Sequence, residues 1–480
     1  MPGILSFGAY IPRLRLQRSA VLAAHGWFNP GLKALAKGER SFANWDEDVV
    51  TMAVEAARDC LQGQSRDAVG SMMLASTTAP FTDRQNAGIV KEALNLRDDV
   101  ATLDFGGSQR AGVSALIQAL ETAREDRPVL CVGSEKKQDR PGSEAEMTGG
   151  HAAAALLVGA GDGLARLVAS HSISFDFVDH FRGSGEAFDF SWEARWIREE
   201  GYGRIVPLAI RELLAKAALQ ASDIDVFVFS SSLRGAALSV AKAAGIAPAA
   251  LVGPLDAGVG DTGAAHPLLL LAHALETADP RQRILVAGFG SGCDVVLLER
   301  TEATLAPVRR LGVSGWLARA RSEANYVKYL ALNGLIDIER GMRAEIDHRQ
   351  PLSALWRNRK AVLGLVGGRC RKTGTIQFPK SDIGVNANDR AIGTQDDYPL
   401  AEIPARILTH TADSLTYTPD PPAFYGMIEF EGGGRIYVDF CDAEASEIEV
   451  GRPMRMVFRI KGVDETRGFT KYFWKAAPAA

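Results

Sequence analysis

The sequence predicts a layered α/β fold followed by a small antiparallel β barrel. Three observations carry that reading. Residues 1 to about 300 alternate short apolar runs with helical stretches. The order of elements in the first part of that region returns in the second, although no strict sequence repeat accompanies it. From about residue 365 onward, one strand-like stretch follows another. Short runs that are apolar throughout mark strands buried on both faces, and only a layered fold covers both faces.

The elements follow in chain order. "VGSMMLAS" is a short apolar run, and "AGVSALIQALETAREDR" has the period of a helix. "PVLCVGSE" and "AAAALLVG" are again buried-strand runs. In the second part "PLAIRELLAKAALQASDI" is helical, "DVFVFSSS" is a strand and "AALSVAKAAGI" is a helix. "GAAHPLLLLAHALETAD" is a further helix, followed by the strands "RILVAGFGSG" and "DVVLLER". The two α/β halves are placed at 1–165 and 166–300. A linker over 301–360 carries charged amphipathic helices, "VSGWLARARSEANYVKYLALNGLI" and "PLSALWRNRKAVL". Residues 361–480 form the β domain. There "FYGMIEFEGGGRIYVDF" reads as a hairpin around three glycines, and "PMRMVFRIKGV" and "TKYFWKAAP" add strands.

Length and charge narrow the function. The chain has 480 residues, enough for about three domains of roughly 150 residues. Its formal net charge is -4, which argues against nucleic acid or an anionic membrane as main partner. No run approaches the roughly 18 apolar residues of a membrane span. The start "MPGILSFGAYIPRLRL" lacks the pattern of a secretory signal, so a cytoplasmic location is expected. The five cysteines are scattered, with no zinc-site spacing among them; reduced thiols and no structural metal are expected.

Four loops present side chains that chemistry could use. "TLDFGGSQRAGVSAL" is a strand, a Gly-rich turn and a helix start, with Gln109 at the elbow. "FVFSSSLRG" places Ser230 at the end of a buried strand. "GVGDTGAAHP" carries Asp261 and His266 five residues apart. "GFGSGCD" is a Gly-rich turn containing Gly290 and Gly292. Each has a structural reading beside the functional one. Gln109 and Ser230 to Ser232 could serve as caps, and His266 could sit in the first turn of a helix. Of the eight histidines, His266 is the best acid–base candidate, because a Gly-rich loop and Asp261 lie beside it.

Taken together these loops resemble the thiolase superfamily, most closely its hydroxymethylglutaryl-CoA synthase and initiating ketoacyl synthase branch. The carrying segments are "NWDEDVVTMAVEAARDCL", "LDFGGSQRAGVSAL", "FVFSSSLRGAALSVAKAAGI", "GDTGAAHPLLLLAHALE" and "GFGSGCDVVLLE". From about 345, "LSALWRNRK", "GGRCRKTGTIQFP", "GRIYVDF" and "GFTKYFWKAAP" resemble the OB-fold partner domain of acyl-CoA thiolases. The resemblance implies a five-layered αβαβα fold plus a C-terminal OB-fold barrel. It also implies a cysteine at the elbow, a histidine after the "FVF" strand and an asparagine in the third loop. Here those positions hold Gln109, Ser230 and Asp261, while His266 replaces a serine. Thr77 stands where the synthase branch has a glutamate. Of the four cysteines of a zinc ribbon only Cys370 remains, so no metal is carried over.

The resemblance therefore implies an acyl-CoA enzyme that makes or breaks a C–C bond next to a thioester without a cysteine acyl-enzyme. The bond chemistry would be aldol, retro-aldol, Claisen or decarboxylative, with coenzyme A thioester as substrate and no further cofactor. Gln109 and the helix-terminal N–H groups would stabilise the enolate. His266 with Asp261 would move protons, and Ser230 joins the catalytic set. Ser108, Thr77, Gly290 and Gly292 are assigned to substrate binding. A homodimer, or a heterodimer with another thiolase-fold chain, is expected. Two alternatives stand beside this one. The chain could be an inactive acyl-CoA-binding scaffold subunit that pairs with an active partner. It could also transfer an acyl group to an alcohol or amine without a covalent intermediate.

Overall fold

The computed structural model describes residues 2–161, 163–305, 308–339, 349–389 and 391–479. Part of the expected linker, 340–348, lies outside them. The chain divides into two compact units, the first built from Met1–Asn44, Asp48–Gly88 and Arg97–Tyr329, the second from Trp45–Glu47, Ile89–Leu96 and Leu330–Ala480.

In the first unit the chain runs β1 (Pro2–Tyr10), α1 (Val49–Cys60), β2 (Ser71–Ala75) and β3 (Ala101–Phe105). It continues through α2 (Ala111–Thr122), β4 (Val129–Lys136) and β5 (His151–Ala160). The second half comprises β6 (Ala165–Ser174), α3 (Val206–Ala217), β7 (Val226–Phe229), α4 (Ala236–Ala243), α5 (His266–Thr277), β8 (Arg283–Phe289) and β9 (Gly292–Arg300). The strand order is β3-β2-β4-β5-β1 in the first half and β7-β8-β9-β6 in the second. Among the described residues the two sets pair at Gly3 with Arg166 and Ile4 with Ala165.

The halves are copies of one plan. The run β2-β4-β5-β1 has the order and strand senses of β7-β8-β9-β6: one parallel pair, then antiparallel pairs. The first half adds β3 at its edge. Helix α1 packs on β1, β4 and β5, and α3 packs on β6, β8 and β9. Helices α2 and α5 touch strands of both halves and each other. The layers therefore run α1, sheet, α2 with α5, sheet, α3, which is the αβαβα order expected from the sequence.

Local chemistry explains these elements. Asp48 caps α1 by accepting from the Thr51 N–H at 2.9 Å, and the Thr51 hydroxyl oxygen accepts from the Asp48 N–H at 2.8 Å. Every residue of α1 is buried, as are Leu268 to Leu271 at the start of α5. A buried leucine contributes roughly 1.5–3 kcal/mol, so these two helices carry much of the layer packing. One sequence expectation changes. Within the helical linker stretch, Arg321–Glu323 forms a strand instead, pairing in parallel with Leu14–Gln17.

The second unit is β in character. Strands β10 (Val366–Cys370), β11 (Ile376–Gln377) and β12 (Gln395–Pro399) form one sheet in the order β11-β10-β12. Strands β13 (Ala405–Asp413), β14 (Ala423–Phe430), β15 (Arg435–Asp439), β16 (Pro453–Asp464) and β17 (Phe469–Pro478) form another, in the order β15-β14-β13-β16-β17. The hairpin between β14 and β15 turns at Gly432, Gly433 and Gly434, all with positive φ. A parallel bridge between Phe440 and Ala476 brings the two outer strands back together. Inside this unit Lys475 pairs with Asp46 at 2.8 Å, and Arg459 pairs with Glu47 at 3.1 Å, all four side chains being buried. Cys370 sits in a hydroxyl pocket, its Sγ 3.2 Å from the Thr394 Oγ1. Hydrogen bonds with Thr373 and Thr394 pull its thiol down to about 7. Among the described residues no group of three or more His, Cys, Asp or Glu side chains could hold a metal ion, and no helix is long and apolar enough to cross a membrane.

Candidate active site

The elbow lies between β3 and α2. Gly107 takes φ +78 and turns the chain, so Gln109 is delivered at the start of a 12-residue helix. Two contacts with the second half hold it there. Ser108 Oγ donates to the Gly290 carbonyl at 2.8 Å. Arg110 donates to the Ile173 carbonyl at 2.8 Å and to Ser174 Oγ at 3.0 Å, and pairs with Asp294 at 3.4 Å. Gly290 makes this approach possible. It has φ +153, and a Cβ there would run into Ser108 Oγ and stand 3.1 Å from the Gln109 nitrogen. Gly290→Ala is therefore expected to cost about 2 kcal/mol. Equilibrium unfolding checks this, and an unchanged midpoint would show that the elbow is not braced there.

A small polar cavity opens above the elbow, lined by Gln109, Tyr202, Ser230, Ser231, Ser232 and Asp261, with Gly263, Pro267 and Phe289 completing the wall. The structure thus brings Gln109, Ser230 and Asp261 together, as the sequence suggested. Gln109 lines the cavity, and its carboxamide has no hydrogen-bond partner among the described residues. Asp261 Oδ1 accepts from the Gly263 N–H at 3.1 Å.

The expected pairing of Asp261 with His266 is not present. His266 is 1% exposed and turned away from the cavity. Its Nδ1 accepts from the Thr262 N–H at 3.1 Å, and its Nε2 meets the Pro254 carbonyl at 3.0 Å. Only the neutral Nε2–H tautomer satisfies both partners, so the ring is a strut between two backbone segments. His151 is used in the same way, between the Ala43 N–H and the Lys137 carbonyl, and burial holds its pKa well below the usual imidazole value.

The remaining candidates support the cavity from behind. The Ser108 hydroxyl, assigned to substrate binding, donates to the Gly290 carbonyl, and Ser108 is not among the residues lining the cavity. Gly290 and Gly292 allow close backbone approach; a Cβ on Gly292 would stand 2.7 Å from Arg110 Nη1. The Thr77 N–H donates to Glu135 Oε2 at 3.1 Å and its hydroxyl donates to the same oxygen at 3.2 Å. Glu135 also takes bonds from Ser76 and Thr78 and, at 3.4 Å, from the Ala264 N–H. This fully buried carboxylate, its pKa raised by desolvation, ties the loop after β2 to the loop carrying Asp261. Cys293 is buried and its thiol is pushed up by desolvation, as expected for an inert cysteine.

Sequence reasoning missed Tyr202 and Phe289. Tyr202 sits in a nine-residue π-helix, Ile197–Ile205. Its ring packs edge-on to Phe289 at 4.8 Å and to Phe229 at 5.6 Å. Its hydroxyl is hydrogen-bonded to Ser231, and burial raises its pKa, with the charges of Asp179 and Asp261 adding to the effect. Gly201 permits the packing, since a Cβ there would stand 3.0 Å from Phe289 and 2.9 Å from Phe177.

With this geometry in place, known proteins supply a frame. Residues 214–297 match the family described as 3-oxoacyl-[acyl-carrier-protein] synthase III C terminal. A hydroxymethylglutaryl-CoA synthase of Archaeoglobus fulgidus is 29% identical over 311 residues, covering 63% of this chain and 90% of that protein. That of Caldivirga maquilingensis is 28% identical over 351 residues, covering 71% and 99%. Among solved structures, an HMG-CoA synthase complexed with CoA aligns with a TM-score of 0.61 at 17% identity, covering 73% of this chain and 95% of that one. The 3-oxoacyl-(acyl carrier protein) synthase III of Pseudomonas aeruginosa aligns with a TM-score of 0.56 at 20% identity, covering 64% and 99%. The first unit has the thiolase-like fold of these enzymes, and additional all-β sheets follow it.

Proposed function

We propose that this chain is an acyl-CoA enzyme that makes or breaks a C–C bond next to a thioester, without an acyl-cysteine intermediate. One observation carries the proposal. The cavity above the elbow is lined by Gln109, at the start of α2, together with Ser230 and Asp261, and no cysteine or histidine is among its lining residues. An amide at a helix N-terminus can donate to a thioester oxygen as it becomes an enolate oxygen, but it cannot take up an acyl group. The hydroxymethylglutaryl-CoA synthases related in sequence support the class of substrate.

The pure protein incubated with acetyl-, acetoacetyl-, malonyl- and 3-hydroxyacyl-CoA tests this, with mass spectrometry of thioesters and of intact protein. Consumption of a thioester with no acyl adduct on any of the five cysteines is expected. Tight binding without turnover of any thioester would favour a scaffold subunit. A stable adduct that disappears in Cys293→Ala would overturn the reading.

The strand order β15-β14-β13-β16-β17, closed by the Phe440–Ala476 bridge, supports reading the larger C-terminal sheet as an OB-type partner barrel. The sheet edge favours a dimer. Strand β3 is the last strand of its half, and Leu103 on it is 41% exposed. Such an edge is a template for pairing across a two-fold axis with a second thiolase-fold chain. Light scattering at micromolar concentration should give at least twice the chain mass; a monomer would count against it.

A further inference from the structure

The cavity also says which thioester fits it, if the reading above holds. Its lining is almost entirely hydroxyl, amide and carboxylate: Ser230, Ser231, Ser232, Tyr202, Gln109 and Asp261. A long hydrocarbon chain would strand these polar groups without partners, at roughly 1–3 kcal/mol each. A carboxylated acyl group would place a second negative charge against Asp261. A hydroxylated acyl group suits both demands, because its O–H donates to a carboxylate and its oxygen accepts from a serine.

Asp261 is placed to do more than bind. One oxygen is fixed by the Gly263 N–H, while the other has no protein partner among the described residues. The carboxylate accepts hydrogen bonds only, so it cannot stabilise an enolate oxygen. Gln109 is the one amide in the cavity wall and takes that part. Tyr202, from the same half of the fold as Asp261, lines the same space.

We propose that the substrate is a short 3-hydroxyacyl thioester cleaved by retro-aldol chemistry, with Asp261 as base on the 3-hydroxyl group and Tyr202 as proton donor to the enolate carbon. The hydroxyl proton passes to Asp261, its O–H electrons become the C=O bond of a released aldehyde or ketone, and the C2–C3 bond breaks. That electron pair forms the thioester enolate, whose oxygen accepts from Gln109. C2 then takes the Tyr202 proton, and the proton held by Asp261 returns to the phenol, so both groups end as they began. A phenol is protonated at neutral pH, as a donor must be.

The probes are 3-hydroxypropionyl-, 3-hydroxybutyryl- and 3-hydroxy-3-methylbutyryl-CoA, with malonyl-CoA as the competing chemistry. Acetyl-CoA and a hydrazine-trapped carbonyl compound should appear from at least one of the three. Asp261→Asn and Tyr202→Phe should each lower kcat at least a hundred-fold, with KM within a few-fold and an unchanged unfolding midpoint. Decarboxylation of malonyl-CoA with all three hydroxyacyl thioesters intact would overturn the retro-aldol assignment but leave the C–C reading standing. Indifference to every thioester would remove both. Cleavage that survives Asp261→Asn or Tyr202→Phe within three-fold would overturn the assigned roles.

Discussion

Gln109→Ala is expected to lower turnover by about a hundred- to a thousand-fold while leaving thioester binding within a few-fold. The size follows from the loss of one preorganised donor to a developing oxyanion, worth about 2.7–4 kcal/mol. The donor is preorganised here because Ser108 and Arg110, on either side of Gln109, are held by the second half of the fold through Gly290, Ile173 and Asp294. Calorimetry with acetyl-CoA separates the two quantities, since a ground-state thioester gains little from the same bond. Gln109→Glu should lose more than Gln109→Ala, because a carboxylate at the elbow would repel the enolate. Gln109→Cys should not restore an acyl-enzyme: no imidazole reaches the cavity to activate a thiol, and Asp261 would oppose thiolate formation. If Gln109→Ala retains full turnover on an identified substrate, enolate charge is held elsewhere.

What the sequence conveyed, and what it withheld, follows from how locally each feature is encoded. The runs that became β2, β4, β5 and β8 were legible because strands buried on both faces are apolar throughout. Strand β6, "ARLVASHSIS", was not, since it alternates and is half exposed. The elbow was legible because a strand, a Gly turn and a helix are contiguous in the chain. Tyr202 was not, because a π-helix has neither the 3.6-residue nor the two-residue period. Glu135 closed an apolar run in plain sight, but its role depends on hydroxyls about 58 residues away. The acidic stretch at Asp46 and Glu47 directly precedes α1 in the chain. Its charges instead belong to the second unit, where Asp46 meets Lys475 across 429 residues of sequence.

The same distinction between spacing and direction governs His266. Its place five residues after Asp261 made an acid–base pair the natural expectation, yet spacing does not say where a ring points. Pro267, one residue on, lines the cavity, whereas His266 begins α5 on the buried side. His266→Ala is therefore expected to act on stability rather than chemistry. It leaves the Thr262 N–H and the Pro254 carbonyl unpaired and adds an empty space where the ring was packed. An unpaired buried group costs about 1–3 kcal/mol, so two of them and the cavity together should remove about 3 kcal/mol or more. The folded fraction should keep kcat within about three-fold. Denaturant unfolding reads the first quantity, and turnover normalised to folded protein reads the second. His266→Asn and His266→Gln can each restore one of the two bonds, so each should recover part of the lost stability. The opposite pattern, unchanged stability with a hundred-fold loss of kcat, would put the imidazole back into the chemistry and displace Asp261 and Tyr202 from it.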